Sequence, residues 1–305
     1  MSVCWLCPGQ GGQQAGMFAR LAATAGTAEP LARLRDQLDL SVRDSAADQR
    51  RCFLNRNAQP LIVLYGVCVA SALAERGATP DLVAGYSVGE LTAHVVAGAL
   101  PSADGLRLAA ARAAAMDAAA PPGHGMLAVR GLRLERIAAL AQAVGAQIAI
   151  VNGADHVVLA GQDDALSSLA ASLVADAGAH VVPLPISVPA HSVWLSGAAA
   201  PFREALEGAD WRAGSATVLS ALGARPVWSR NSAIETLSRE VAEPLDWART
   251  LDLAIDMGAT AFFELGPGTG LARMVRERHP DVPARAFDEF ATLDGALAWL
   301  DRYRY

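Results

Sequence analysis

The stretch DLVAGYSVGELTAH, residues 81–94, constrains this chain more than any other. A short apolar run, the pentapeptide Gly85-Tyr86-Ser87-Val88-Gly89 and a helical pattern follow one another directly. Strand-turn-helix order of this kind points to a mostly parallel sheet covered by helices. The same order occurs at the start, where VCWLC runs into the glycine turn of PGQGG and a helix-like segment from Gln14. AQPLIVLYGVCVASALAERG reads as a buried helix ending at Gly77. Two helical stretches then follow the pentapeptide, the second stopped by Pro121-Pro122-Gly123.

The pattern changes at residue 123. HGMLAVRG, RLERIAALAQAVG, QIAIVNG, HVVLAG, QDDALSSLAASLVADAG and HVVPLPIS give a β-α-β-β-α-β order, which is ferredoxin-like. The expected fold class is α/β. A large domain is formed by residues 1–122 and 188–305, and a small subdomain by residues 123–187. TVLSAL and ATAFFELG supply further buried strands of the large domain.

Composition narrows the function. The 305 residues are 52% hydrophobic and 18% charged, enough for a sizeable core. A net charge of −6 and the lack of a basic block argue against nucleic acid as the main partner. No segment reads as a membrane span, because charged residues, Gly or Pro interrupt the apolar runs. MSVCWLCPGQGG does not look like a secretory signal, so a cytoplasmic location is expected. Cys4 and Cys7 form a CxxC, but they sit on one strand and no second Cys or His pair completes a zinc site.

Ser87 admits two readings. A G-x-S-x-G between strand and helix is a nucleophile elbow, with a helix N-terminus positioned to stabilise an oxyanion. Ser87-Val88-Gly89-Glu90 equally fits the capping box S-x-x-E. A nucleophilic serine needs a base, and His191 in ISVPAHSVWLSGAA is the best placed of six histidines. It lies where the chain re-enters the large domain; the alternative is a capping or core histidine. His94 is two helical turns from Ser87, about 10 Å along the axis. His124, His156, His180 and His279 fall at insert borders or in charged turns.

Gly9-Gln10-Gly11-Gly12 is not a dinucleotide fingerprint, since Gln14 stands where the third glycine belongs, and no phosphate-binding lysine follows. Such a turn can aim a backbone N–H into a site. Arg112 lies on an apolar stripe with Leu108 and Met116, at i, i+4 and i+8. A buried guanidinium requires an anion. That anion is either a protein carboxylate, in a structural ion pair, or the carboxylate of a substrate.

Together these residues resemble the malonyl-CoA:acyl-carrier-protein transacylase family. The likeness rests on PGQGGQ, GYSVGE, an arginine 25 positions after the serine, SVPAH, REVAEPLDW and ELGPGTG, in that order. The resemblance implies an α/β-hydrolase-like large domain with an inserted ferredoxin-like subdomain. It implies Ser87 as acyl carrier, His191 as general base and acid, and the backbone N–H groups of Gln10 and Val88 as oxyanion hole. Arg112 would hold the free malonyl carboxylate, and the backbone carbonyl of Glu240 would orient His191. Malonyl-CoA is the implied substrate and an acyl-carrier protein the implied partner, with no bound cofactor or metal. Tyr86, Gly12, Glu240 and Ala190 depart from residues common in the family. GYSVGEL and NRNAQPLI look most like the epsilon subunit of malonate decarboxylase, whose acceptor is that enzyme's own carrier subunit. A hydrolase using the same elbow and a non-catalytic scaffold are the competing classes.

Overall fold

The computed structural model describes residues 2–177 and 179–303, with side chains at Asp176 and Ala177 left aside. In chain order the strands are β1 (Ser2–Cys7), β2 (Leu82–Gly85), β3 (His124–Arg130), β4 (Gln147–Gly153), β5 (His156–Gln162), β6 (His180–Pro183), β7 (Thr217–Ser220), β8 (Arg225–Val227), β9 (Leu245–Asp246), β10 (Ala259–Glu264) and β11 (Ala284–Ala286). They form two sheets. The larger has the order β11-β10-β1-β2-β7-β8 and is parallel except for β8, which runs antiparallel to β7 at one edge. The strands at its centre are short and apolar throughout because helices cover both faces, so neither face needs a polar set. Trp5, Leu6, Phe262 and Phe263 are almost wholly buried there.

The smaller sheet has the order β6-β3-β5-β4-β9. Strands β3 to β6, with helices Leu134–Ala143 and Asp163–Ala177, give the ferredoxin-like β-α-β-β-α-β unit. That unit has its own small core, in which Leu127, Val129, Ile137, Leu159 and Leu173 pack together. The fifth strand comes from outside it: β9 pairs in parallel with β4 through Ile150 and Leu245. Sequence periodicity could not reveal a two-residue strand donated from residue 245.

One expectation is corrected. The helix Asn55–Glu75 is long and apolar enough to cross a bilayer, although no such segment was expected. Its 21 residues hold no charge in the apolar middle, and Pro60 and Gly66 do not break it. In the fold it is a core helix, with 89% of its most apolar window buried. Cys4, Cys7, Cys52 and Cys68 are all unbridged and buried. Among the described residues no group of His, Cys, Asp and Glu could hold a metal ion.

The central strands β1 and β2 end level with each other, Cys7 opposite Gly85. Each then enters a glycine-containing turn at the carboxyl edge of the sheet, where open α/β sheets place their ligands. The two turns are in contact. Tyr86 donates its backbone N–H to the Cys7 carbonyl at 2.9 Å. A Cβ on Gly89 would lie 2.0 Å from that same carbonyl oxygen, so only glycine lets the helix after Ser87 start this close to β1. Gly89→Ala is therefore expected to cost about 3 kcal/mol through forced backbone movement. Chemical denaturation compared with the parent chain measures it, and a loss under about 0.5 kcal/mol would show that the turn relaxes freely.

Candidate active site

Ser87 stands at the apex between β2 and the helix Gly89–Val96, with φ of 56°. A non-glycine residue in the left-handed region carries a steric cost and persists only where its surroundings impose it. The helix is capped by Val88 without any side-chain hydrogen bond, so the Ser87 hydroxyl is not spent on capping. Glu90, the other half of the supposed capping box, is fully buried. The Ser87 hydroxyl instead meets His191 Nε2 at 2.8 Å.

His191 also has a positive φ, 61°. Two bonds to the end of the helix Arg230–Glu240 hold it. Its backbone N–H donates to the Val241 carbonyl at 2.9 Å, and Nδ1 lies 2.5 Å from the Glu240 carbonyl oxygen. The last carbonyls of a helix have no intrahelical partner, which leaves that of Glu240 free to accept. A carbonyl can only accept, so Nδ1 carries the proton and Nε2 is the basic nitrogen facing Ser87. Burial, and then the nearby Arg112 charge, push the His191 pKa down to about 3, against the pull of the Glu240 carbonyl. The imidazole is thus neutral and able to take a proton at neutral pH.

Arg112 has no solvent exposure. It sits on the helix Ser102–Ala119 with Leu108 and Met116 buried on the same stripe. Nη1 donates to Gln59 Oε1 at 2.9 Å and to the Met116 sulfur at 3.3 Å. Nη2 donates to Glu240 Oε1 at 3.1 Å and to Ser87 Oγ at 3.3 Å. Both readings of this arginine therefore have a structural basis: it is in a buried ion pair, and it touches the serine. Gln59 is itself fixed, because its amide nitrogen donates to Asn55 Oδ1 at 2.7 Å and Asn55 donates to Asp117 at 2.9 Å.

The turn after β1 lies on top of the elbow. A Cβ on Gly9 would be 2.7 Å from the Tyr86 carbonyl oxygen and 3.4 Å from Ser87 Cβ, which brings the next residue, Gln10, beside the serine. Among the described residues the backbone N–H groups of Gln10 and Val88 are not engaged by a protein acceptor. Gly12 is crowded by Pro267: a Cβ there would lie 2.2 Å from its carbonyl oxygen.

Ser87, His191, Arg112 and Glu240 are thus brought together, with Gln10 and Val88 at the same turn. Sequence reasoning missed the Glu240 side chain and Gln59 as partners of Arg112, and Asn55 as the residue that holds Gln59. It also missed that Tyr86 donates its hydroxyl to Asn152 on β4 at 3.1 Å, tying the elbow to the smaller sheet. The signal for Asn55 and Gln59 was present: two polar side chains in NRNAQ at i and i+4, facing inward on an otherwise apolar helix. The other histidines lie elsewhere. His94 is buried against Trp211, ring centroids 5.3 Å apart, and His279 pairs with Asp252 at 3.0 Å. His124 packs on Trp194, while His156 is partly buried and His180 is exposed.

A hydroxyl on a neutral imidazole, two free N–H groups and a buried cation suit acyl transfer through a serine ester. The comparisons agree. A family model described as the acyl transferase domain matches residues 4–284. The malonyl CoA-acyl carrier protein transacylase of Bacillus subtilis is 29% identical over 311 residues, covering 98% of this chain and 97% of that one. The structure of an acyl-carrier-protein S-malonyltransferase from Burkholderia pseudomallei matches with a TM-score of 0.90 at 31% identity, over 98% of this chain and 100% of that one. A malonyl-transacylase solved in complex with its type II PKS acyl-carrier protein also gives 0.90, at 27% identity over 98% and 99%.

The depressed His191 pKa sets a pH dependence. A neutral base loses function only when it is protonated, so acylation of Ser87 should hold as pH falls through 6.5 and fail only well below 5. Rapid-quench measurement of the acyl-enzyme rate from pH 7 to 4 checks this, with circular dichroism to mark acid unfolding. A rate that halves near pH 6.5 would mean that the ring is solvated and ordinary.

Proposed function

The chain belongs to the acyl transferase domain family, and from that premise we propose that it moves malonyl from malonyl-CoA to the thiol of an acyl-carrier protein. The observation that carries this reading is the single cluster in which Arg112 Nη2 lies 3.3 Å from Ser87 Oγ while His191 Nε2 lies 2.8 Å from it. A nucleophile beside a buried cation suits an acyl group that carries its own negative charge close to the reacting carbonyl, as malonyl does.

In the first half-reaction Ser87 Oγ attacks the thioester carbonyl and its proton passes to His191 Nε2. The backbone N–H groups of Gln10 and Val88 receive the oxyanion. The C–S bond breaks as the tetrahedral intermediate collapses, and His191 returns the proton to the departing CoA sulfur. In the second half the carrier thiol gives its proton to His191 and attacks the serine ester. Ser87 then leaves with that proton. The two half-reactions use protein groups, the CoA thioester and the carrier thiol.

The relatives bear on the acceptor. Those reported above are named for acyl-carrier-protein transfer, and one was solved with a type II PKS carrier. They favour a carrier of fatty-acid or polyketide synthesis. The narrower reading, charging the carrier subunit of malonate decarboxylase in the cytoplasm, rests only on GYSVGEL and NRNAQPLI. Of three arginines suited to an acidic carrier, Arg276 is paired with Glu289 and Arg278 with Asp252, while Arg273 is exposed. Rates measured with each class of carrier protein separate the two acceptors.

Intact mass after mixing with malonyl-CoA should show one malonyl adduct that is absent in Ser87→Ala. An adduct that survives the substitution removes the assignment. Arg112→Ala should lose malonyl transfer about 100-fold while acetyl transfer falls much less, because a hydrogen bond to a charged group is worth up to about 3 kcal/mol. Equal loss of both would leave Arg112 a purely structural cation.

A further inference from the structure

Arg112 reaches Ser87 already paired. Both Nη groups are engaged, and the Nη2 that faces the serine is shared with Glu240 at 3.1 Å. A substrate carboxylate brought to that edge must take Nη2 from Glu240 or sit beside it. Two ionised carboxylates on one buried guanidinium repel each other, and a single cation offsets only one of the two charges.

We propose that Glu240 is an exchangeable counter-ion of Arg112, one that neutralises the guanidinium in the free enzyme and takes up a proton when the malonyl carboxylate displaces it. The inference rests on the assignment of the malonyl carboxylate to Arg112 and specifies what that binding does to the protein.

The surroundings of Glu240 favour the exchange. Its carboxyl has no solvent exposure, and among the described residues Oε2 has no hydrogen-bond partner. An ionised carboxylate with one oxygen unsatisfied in a dry interior is held only by its cation. The charged and titratable groups around it come from three elements: Arg112 from the helix Ser102–Ala119, Glu90 from the helix Gly89–Val96, and His191 from the loop after residue 188. Burial pushes the Glu240 carboxyl well above its ordinary value; Glu90 adds to the rise, and Arg112 opposes it. Burial likewise pushes Glu90 up to about 7, against Ser220, Thr236 and Arg112. Both acids face Arg112, and an arriving carboxylate competes with Glu240 for the Nη2 that the two would share. The main-chain carbonyl of Glu240 still orients His191 throughout, because only the side chain exchanges partner.

The sign follows from linkage. Malonyl binding takes up a proton, so its affinity falls as pH rises through the titration of Glu240. In the parent enzyme the KM for malonyl-CoA should climb toward about tenfold per pH unit on the alkaline side. Glu240→Gln keeps an oxygen for Arg112 but cannot ionise. Its KM should be flatter across the same range and lower than the parent's at the alkaline end. Parallel KM curves for the two proteins would overturn the proposal and leave Glu240 a fixed structural partner.

A second measurement needs no variant. Mixing the parent enzyme with malonyl-CoA in weak buffer with a pH indicator, over a series of pH values, should show proton uptake that grows toward one per acylated site as Glu240 becomes ionised in the free enzyme. Acetyl-CoA is the control for the released thiol and should show none. Equal signals from both esters would overturn the proposal. Arg112→Ala keeps the two assignments apart. Equal loss of malonyl and acetyl transfer in that variant removes the malonyl contact itself, whereas retained selectivity of Arg112 with parallel KM curves removes only the proton step.

Discussion

A guanidinium with no access to water organises the centre of this molecule. Arg112 is fully buried, and a charge in that position is tolerated only when its donors are met. Its two Nη groups are met by Gln59 from one helix, Met116 from the next turn of its own, Glu240 from the end of another, and the serine from the elbow, while Nε has no partner among the described residues. Each partner is fixed in turn, Gln59 through Asn55 and Asp117 and Ser87 through His191. The polar network joins elements that apolar packing alone could slide past one another. Removing one member would leave a buried charge or amide unpaired, at a cost of about 3–5 kcal/mol for the ion pair.

The elbow and the histidine show where that rigidity is used. Ser87 and His191 are two of three non-glycine residues with positive φ among the described residues. Strained backbone at both ends of a 2.8 Å contact indicates that the surroundings over-determine their positions. For Ser87 the restraint is the close contact of the two turns, in which the Tyr86 N–H and Gly89 both meet the Cys7 carbonyl. For His191 it is a pair of bonds to the last turn of one helix.

Much of the architecture could be read in advance because it is local. Strand followed by helix and the change of period at residue 123 are properties of neighbouring residues, and the mostly parallel sheet and ferredoxin-like unit follow from them. The pentapeptide was ambiguous for the same reason: an elbow and a capping box share their five residues. What separates them is the absence of a cap bond and the presence of His191, 104 positions away. Arg112 was visible as a charge on an apolar stripe, but its partner was not, since Glu240 lies 128 residues on and looks like any charged residue at a helix end. The strand β9 escaped notice because two residues show no period. The helix Asn55–Glu75 was legible as a buried helix because its apolar run ends at Gly77, although its apolar length was underrated.

The orientation of His191 by a carbonyl rather than a carboxylate fits its neighbourhood. An aspartate beside Nδ1 would fix the same tautomer, but it would add a third buried acid to Glu90 and Glu240, opposite a single arginine. The carbonyl fixes Nδ1–H without a net charge, so the imidazole stays neutral next to Arg112. The C-terminal end of the helix Arg230–Glu240 presents the negative pole of its dipole to the ring, which would favour a proton on Nε2 in the proposed reaction. The same residue thereby acts at both charges of the site. Its carbonyl meets the His191 ring, and its carboxyl faces the Arg112 cation. One helix end thus positions both the imidazole and the guanidinium that meet at Ser87.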